Sequence, residues 1–227
     1  AAGVADADLV VEAVTERQEV KARLFRTLSE AAPPHAVLAS NTSSISITWL
    51  GAQTDRPDRV VGMHFFNPVP LMALVEIIPG PMTSPELVER VDALARRLGK
   101  TPVVAADTPG FIVNRVQRAL YLEAFRIFEE GVADVSAIDD AMRQLGFRLG
   151  PFELADVVGT DINLAAGTAI FEGYYGDPRY RPAQVQRRVV DAGRLGRKSG
   201  AGYYDYADDG SRGDPWPALV QRPSVAP

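Results

Sequence analysis

The 227-residue sequence has no cysteine, which excludes disulfides, thiol nucleophiles and cysteine metal sites and fits a reducing compartment. Histidine is nearly absent too, with only His35 and His64, and no cluster of side chains is spaced as metal ligands. Basic residues are not in excess: 24 Lys and Arg against 29 Asp and Glu give a formal net charge of -5. A nucleic-acid surface needs clustered Lys and Arg, so none is expected, although an anionic small molecule can still find a local basic spot. No apolar run reaches the ~18 residues of a membrane span. His64, Asn67, Pro68 and Glu76 interrupt the most apolar region. The first residues carry Asp6 and Asp8 without a basic stretch, so no signal peptide is expected there. No G-x-G-x-x-G loop follows any strand-like run. These absences leave a cytoplasmic enzyme or binding protein as the default expectation.

What is present is a hydrophobic fraction of 46% and a clear alternation of patterns. Leu9 to Val14 reads as a buried strand, and Thr15 with Gln18 as a capping box for a helix whose Val20, Leu24, Leu28 and Ala31 share one face. Pro33 and Pro34 stop that helix, Ala36 to Ala39 is a second strand, and Arg59 to Phe65 a third. The order strand, helix, strand, short helix, strand argues for parallel strands joined by crossovers. The next link, Phe66 to Ala73, holds two prolines and is too short for a parallel crossover, so Leu74 to Ile78 is expected to return antiparallel and to bring Glu76 towards His64. Ser84, Pro85 and Gly99 bracket a helix with Val88, Val91, Leu94, Ala95 and Leu98 inward, and Thr101 to Ala105 closes the sheet.

Beyond Asp107 the patterns turn helical. Thr108 and Pro109 open a long helix over Gly110 to Glu130, Ser136 with Asp139 opens another, and helices are expected over Pro151 to Val158, Ile162 to Tyr175 and Pro182 to Ala192. The fold class expected is an α/β Rossmann-like, mostly parallel sheet over residues 1–107, then an all-helical domain over 108–207. Residues 208–227, rich in Pro, Gly and polar groups, read as a flexible tail.

His64 falls at the carboxyl end of a strand, where open α/β sheets bind ligands; the plain alternative is a satisfied core histidine. A carboxylate inside LVEII is costly to bury unless paired, and an imidazole backed by a carboxylate is a general-base arrangement. An edge-strand glutamate facing water is the alternative for Glu76. The cluster Ser40 to Ser44 puts hydroxyls and an amide at a strand end, or merely caps the next helix. Asn67, before Pro68, is a site residue or a turn residue. Asn114, inside an expected helix, is either exposed or functional. Glu12 faces a ligand or faces solvent, and His35 is expected to be inert. The run Gly196 to Gly202, with Arg197 and Lys198, is a weak phosphate cradle or a solvated basic loop.

Seven motifs in order, VVEAVTERQEVK, SNTSSISI, GMHFFNPVP, LVEII, DTPGFIVNR, GPFELADVVG and GRKSGAGYYDY, resemble the 3-hydroxyacyl-CoA dehydrogenase family, in particular its bacterial 3-hydroxybutyryl-CoA type. The resemblance runs from about Ala7 to Tyr206. It implies NAD as cofactor, an acyl-CoA substrate, and a homodimer formed through the helical domain. It implies that His64 is the base and Glu76 its orienting partner, with Ser43 and Asn114 at the reacting oxygen or thioester end. By the same matching Glu16, Lys21, Asn41, Ser43 and Asn67 line the cofactor or active-site cleft, and Lys198 approaches the cofactor. Two departures stand out. The glycine loop and ribose-binding acid of such proteins are missing, so a truncated form with weak or no NAD turnover is expected, and Ala73 stands where relatives often have a lysine.

Three rivals remain open. The stretch Gly159 to Leu195, with RPAQVQ and GRLGRKSG, also resembles 3-hydroxyadipyl-CoA dehydrogenases of aromatic degradation. A non-catalytic dimerisation or CoA-binding module is a second rival, against which the set His64, Glu76, Ser43 and Asn114 counts. A dehydrogenase of the phosphogluconate type would need a lysine base in place of the histidine.

Overall fold

A computed structural model describes residues 2–219. It divides into two compact units, Ala1–Arg115 and Val116–Pro227.

The first unit is built on a five-stranded sheet, β1 (Leu9–Glu12), β2 (Val37–Ser40), β3 (Val60–Phe65), β4 (Leu74–Pro79) and β5 (Thr101–Val104), lying side by side in chain order. β1, β2 and β3 are parallel, β4 runs antiparallel to β3, and β5 is parallel to β4. The reversal follows from the short, proline-bearing link after β3. Its register sets His64 directly opposite Glu76. Helices α1 (Gln18–Ala31), α2 (Ile47–Gly51) and α3 (Pro85–Arg97) join the strands. Two apolar clusters form, one around Phe25, Leu38, Ile47 and Leu50, the other around Val37, Met63, Ile77 and Val91.

Several local details differ from the sequence reading. α1 begins after Arg17, which makes no side-chain cap, so Thr15 and Gln18 form no capping box. Its buried residues are Lys21, Ala22, Phe25, Leu28 and Ser29, because the helix turns Phe25 into the core and Lys21 towards Glu12. In α3, Ser84 does cap the helix, its side chain accepting from the Leu87 amide, but Leu98 is exposed.

The second unit holds α4 (Val113–Glu129, its first turn shared with the first unit), α5 (Val135–Gln144), α6 (Pro151–Val158), α7 (Thr160–Gly173) and α8 (Gln184–Asp191). Phe125, Phe152 and Tyr203 centre its core, with ring centroids 4.9–5.6 Å apart. α4 starts three residues later than the sequence suggests, since Gly110 (φ 77°) and Phe111 (φ 46°) take left-handed conformations. α5 is capped by Asp134, which accepts from the Ala137 amide, rather than by Ser136.

The unit is not helical throughout. β6 (Tyr204–Tyr206) and β7 (Arg212–Pro215) form an antiparallel ribbon. Part of the expected flexible tail is therefore ordered: the Trp216 amide donates to the Tyr203 carbonyl and Leu219 packs in the core. The rest of that tail, 220–227, lies outside the described residues.

Candidate active site

The site begins with one imidazole fixed from two sides. His64 Nδ1 lies 2.6 Å from Glu76 Oε2, both side chains almost wholly buried. A carboxylate at that nitrogen makes it the N–H donor and leaves the lone pair on Nε2. Nε2 in turn lies 3.1 Å from Ser43 Oγ. Phe66 and Phe111 present ring edges to the imidazole, with centroids 4.6 and 5.7 Å away.

Glu76 has its other oxygen on the main chain ahead of α4. Oε1 accepts from the Ile112 amide at 2.8 Å and the Val113 amide at 3.0 Å, groups that no residue inside the helix satisfies. Burial pushes the Glu76 carboxyl up, but the His64 contact and these two amides outweigh it, so it is held below its ordinary value. An ionised Glu76 stabilises an imidazolium, which is what a histidine becomes on taking a proton.

The Ser43 loop has its own moorings. Asn41 Oδ1 accepts from the Phe65 amide at 2.8 Å, tying the end of β2 to the end of β3. Glu16 Oε1 accepts from the Ser43 amide at 2.9 Å and the Ser44 amide at 3.0 Å. Thr42 Oγ1 caps locally, accepting from the Ile45 amide at 2.9 Å. Asp107 holds the start of α2 beyond it, accepting from the Ile47 and Thr48 amides and the Ser46 hydroxyl at 2.7–3.0 Å.

The first unit thus brings together His64, Glu76, Ser43, Asn41 and Glu16. Asn114 is the second residue of α4, half-buried and two positions beyond the Ile112 amide that binds Glu76. It stands in the first turn, not the helix interior the sequence suggested. Asn67 is exposed. Lys21 presents no ammonium to a cleft: it is 1% exposed, with Nζ 2.6 Å from Glu12 and 3.3 Å from Glu16. Glu12 is accordingly buried and paired, neither exposed nor turned to a ligand. In the other unit Lys198 Nζ is 2.7 Å from Asp161.

In the turn from Gly196 to Gly202, Arg197, Lys198, Ser199 and Gly200 are exposed, as a solvated basic loop would have them, while Gly196 and Gly202 at its ends are buried. A Cβ on Gly202 would lie 2.0 Å from Asp156 Oδ1, and one on Gly196 (φ 89°) 2.3 Å from the Asp156 carbonyl oxygen, so these glycines permit close packing on α6. His35 makes only an exposed contact with Asp8, at 3.0 Å.

The chain matches known proteins over most of its length. Residues 1–108 match the model of the 3-hydroxyacyl-CoA dehydrogenase NAD binding domain, and residues 110–206 that of the 3-hydroxyacyl-CoA dehydrogenase C-terminal domain. The chain belongs to the 3-hydroxyacyl-CoA dehydrogenase family. Within it, the chain is 50% identical to a 3-hydroxyadipyl-CoA dehydrogenase of Escherichia coli K12 over 89% of its own length and 43% of that protein's. A probable 3-hydroxybutyryl-CoA dehydrogenase of Bacillus subtilis is 48% identical, over 89% of this chain and 70% of that one. The crystal structure of a 3-hydroxybutyryl-CoA dehydrogenase from Escherichia coli K12 superposes with a TM-score of 0.87 at 50% identity, covering 89% of this chain and 43% of that one. The chain therefore spans less than half the length of the first relative and about two thirds of the second. Family membership and the mostly parallel sheet followed by a helical domain agree with the sequence reading.

Proposed function

We propose that the protein carrying this chain oxidises a 3-hydroxyacyl-CoA to the 3-ketoacyl-CoA with NAD. The observation that carries this is the buried Glu76–His64 pair with Nε2 turned to the Ser43 hydroxyl. The parallel strands β1, β2 and β3 bring their carboxyl ends together beside Ser43 and His64, which is where open α/β sheets take their ligands, so the residues fit the nicotinamide end of a dinucleotide. Glu16, Asn41 and Asn67 would border it. NAD, when bound, accepts the hydride.

His64 Nε2 takes the proton of the substrate's 3-hydroxyl as the C3–H bond gives up its electron pair as hydride, and C3 and its oxygen become a ketone. In reverse His64 protonates the ketone oxygen. Glu76 steadies the imidazolium, and Ser43 and Asn114 donate hydrogen bonds where charge gathers on oxygen. Reduction of NAD by 3-hydroxybutyryl-CoA, followed by NADH absorbance in the natural protein, is expected to fall ~10²–10⁴-fold in His64→Gln with little unfolding. Unchanged turnover contradicts the assignment.

A second reading keeps the chemistry and changes the acyl group. The 50% identity to a 3-hydroxyadipyl-CoA dehydrogenase supports it, and turnover on hydroxyadipyl-CoA against hydroxybutyryl-CoA separates the two. The proposal includes a cytoplasmic homodimer that engages neither nucleic acid nor membrane. The exposed apolar side chains of the helical unit, Val132, Leu145 and Ile162 among them, support a covered surface there, and the negative net charge fits the absence of nucleic acid.

A further inference from the structure

We propose that Glu16 is a positioning residue: braced by the buried Lys21, its carboxylate clamps the Thr42–Ser44 loop and so fixes Ser43 against His64. The proposal rests on the reading of His64 as the base. Glu16 stands between β1 and α1, outside any helix or strand. Its Oε1 accepts from Thr42 Oγ1 at 2.5 Å, the Ser43 amide at 2.9 Å, the Ser44 amide at 3.0 Å and Ser44 Oγ at 3.1 Å. Among the described residues no main-chain carbonyl receives the Ser43 or Ser44 amide, so the loop is held by side chains. Four donors fill that oxygen, and the remaining one, Oε2, is 3.3 Å from Lys21.

Lys21 is itself locked. Its ammonium meets both oxygens of Glu12, at 2.6 and 2.8 Å, and Glu12 also accepts from Ser40 Oγ and the Val14 amide, each at 2.7 Å. A chain of polar contacts therefore runs from Glu12 through Lys21, by an ion pair to Glu16, and on to the Ser43 amide, and hydrogen bonds run from the Ser43 hydroxyl through His64 to Glu76. Burial pushes the Glu16 carboxyl up, yet Thr42, Lys21, Ser43 and Ser44 together hold it below its ordinary value. Charge-assisted bonds of this kind are roughly twice as strong as neutral ones. A residue that only bordered a cofactor would leave the imidazole unchanged when removed; a clamp would not.

In ¹H–¹⁵N imidazole spectra of the natural protein the His64 signals are those lost in His64→Gln, with the exposed His35 as an unmoved reference. Ser43→Ala is expected to move the His64 Nε2 resonance, and Glu16→Ala to move it in the same direction. Amide exchange at Ser43 and Ser44 should speed up at least ~10-fold in Glu16→Ala. A His64 ring left at its wild-type position in Glu16→Ala, or in Ser43→Ala, overturns the proposal. Should Glu16→Ala fail to fold, Glu16→Gln decides: it keeps the shape and loses the charge, so exchange at the two serines is expected to rise about tenfold, and unchanged exchange overturns the clamp. Neither readout needs turnover. A failed activity assignment leaves this test intact, and a failed clamp leaves the His64→Gln kinetics where they were.

Discussion

In the sheet unit, Lys21 and Glu12 lie 2.6 Å apart and His64 and Glu76 lie 2.6 Å apart, all four side chains nearly free of solvent. In the helical unit, Arg118, Asp139 and Asp156 are enclosed to a similar degree but make no ion pair among the described residues. Neutral dipoles hold them instead. Asp139 accepts from the Phe152 and Glu153 amides and the Tyr204 hydroxyl, each at 2.9 Å. Asp156 accepts from the Tyr203 amide at 2.9 Å and from the Tyr204 amide and Tyr206 hydroxyl at 3.0 Å. Arg118 Nη1 reaches Asn163 Oδ1 at 3.2 Å, and its guanidinium lies over the Tyr121 ring. The first pattern sets each buried ionisable group against a partner, and at Glu76 it holds the carboxyl below its ordinary value. The second fastens helices and the ribbon, and desolvation shows in its titration: burial pushes Asp139 and Asp156 up to about 6 from an ordinary 3.8, against the donors that hold them.

The difference breaks most visibly if the paired cation is removed. Lys21→Met leaves Glu12 buried without a countercharge and is expected to cost ~3–5 kcal/mol of stability, read by denaturant unfolding with hydrogen exchange in β1 and β2. A cost below 1 kcal/mol would mean that this pair does not hold the unit.

Acid should then move the two units in opposite directions. For Asp139 and Asp156 the folded values are raised, so their stabilising contribution is complete below about pH 4 and is lost as pH rises through 6. For Glu76 and Glu16 the folded values are lowered, so their contribution is present above the ordinary 4.5 and is lost as pH falls through the folded value. Residue-resolved hydrogen exchange, corrected for intrinsic rates, is expected to show the helical unit strengthening between pH 7 and 5 by roughly 1 kcal/mol per aspartate. The sheet unit should weaken only below about pH 4.5. Parallel changes in both units would contradict the contrast.

The smallest effect is expected at Arg118. Exchange for Met removes a buried charge that has no opposite charge to strand, so stability should stay within ~1 kcal/mol of wild type by the same denaturant measurement. A loss comparable to that of Lys21→Met would show that Arg118 has a counterion after all.

Much of the sheet unit is legible in the sequence for plain reasons. Eight residues with two prolines cannot make a parallel crossover, so the reversal into β4 follows, and with it the meeting of His64 and Glu76. The SNTSS cluster and Asn41 fall at a strand end because polar residues collect where a buried strand stops. Less legible is where single side chains turn. Nothing in the periodicity of α1 says that Lys21 is drawn inward, since that depends on Glu12 from another element. Glu16 reads as a cleft residue until its partners 26–28 positions away are seen. At the end of the sheet unit the left-handed Gly110 and Phe111 shorten α4, and in the helical unit Gly196 and Gly202 look like a phosphate loop because their partner, Asp156, lies forty or more positions away. β7 hides in a composition of Pro, Gly and Asp that reads as a tail.

The central claim is that Glu76 and His64 work as one proton-accepting unit. It is tested most directly by the turnover of 3-hydroxybutyryl-CoA with NAD in Glu76→Gln, His64→Gln and the double variant of the natural protein. Residues that act as a unit lose their effect together. The account predicts a fall of ~10²–10⁴-fold in each single variant and no further fall in the double one. Losses that multiply in the double variant would contradict it.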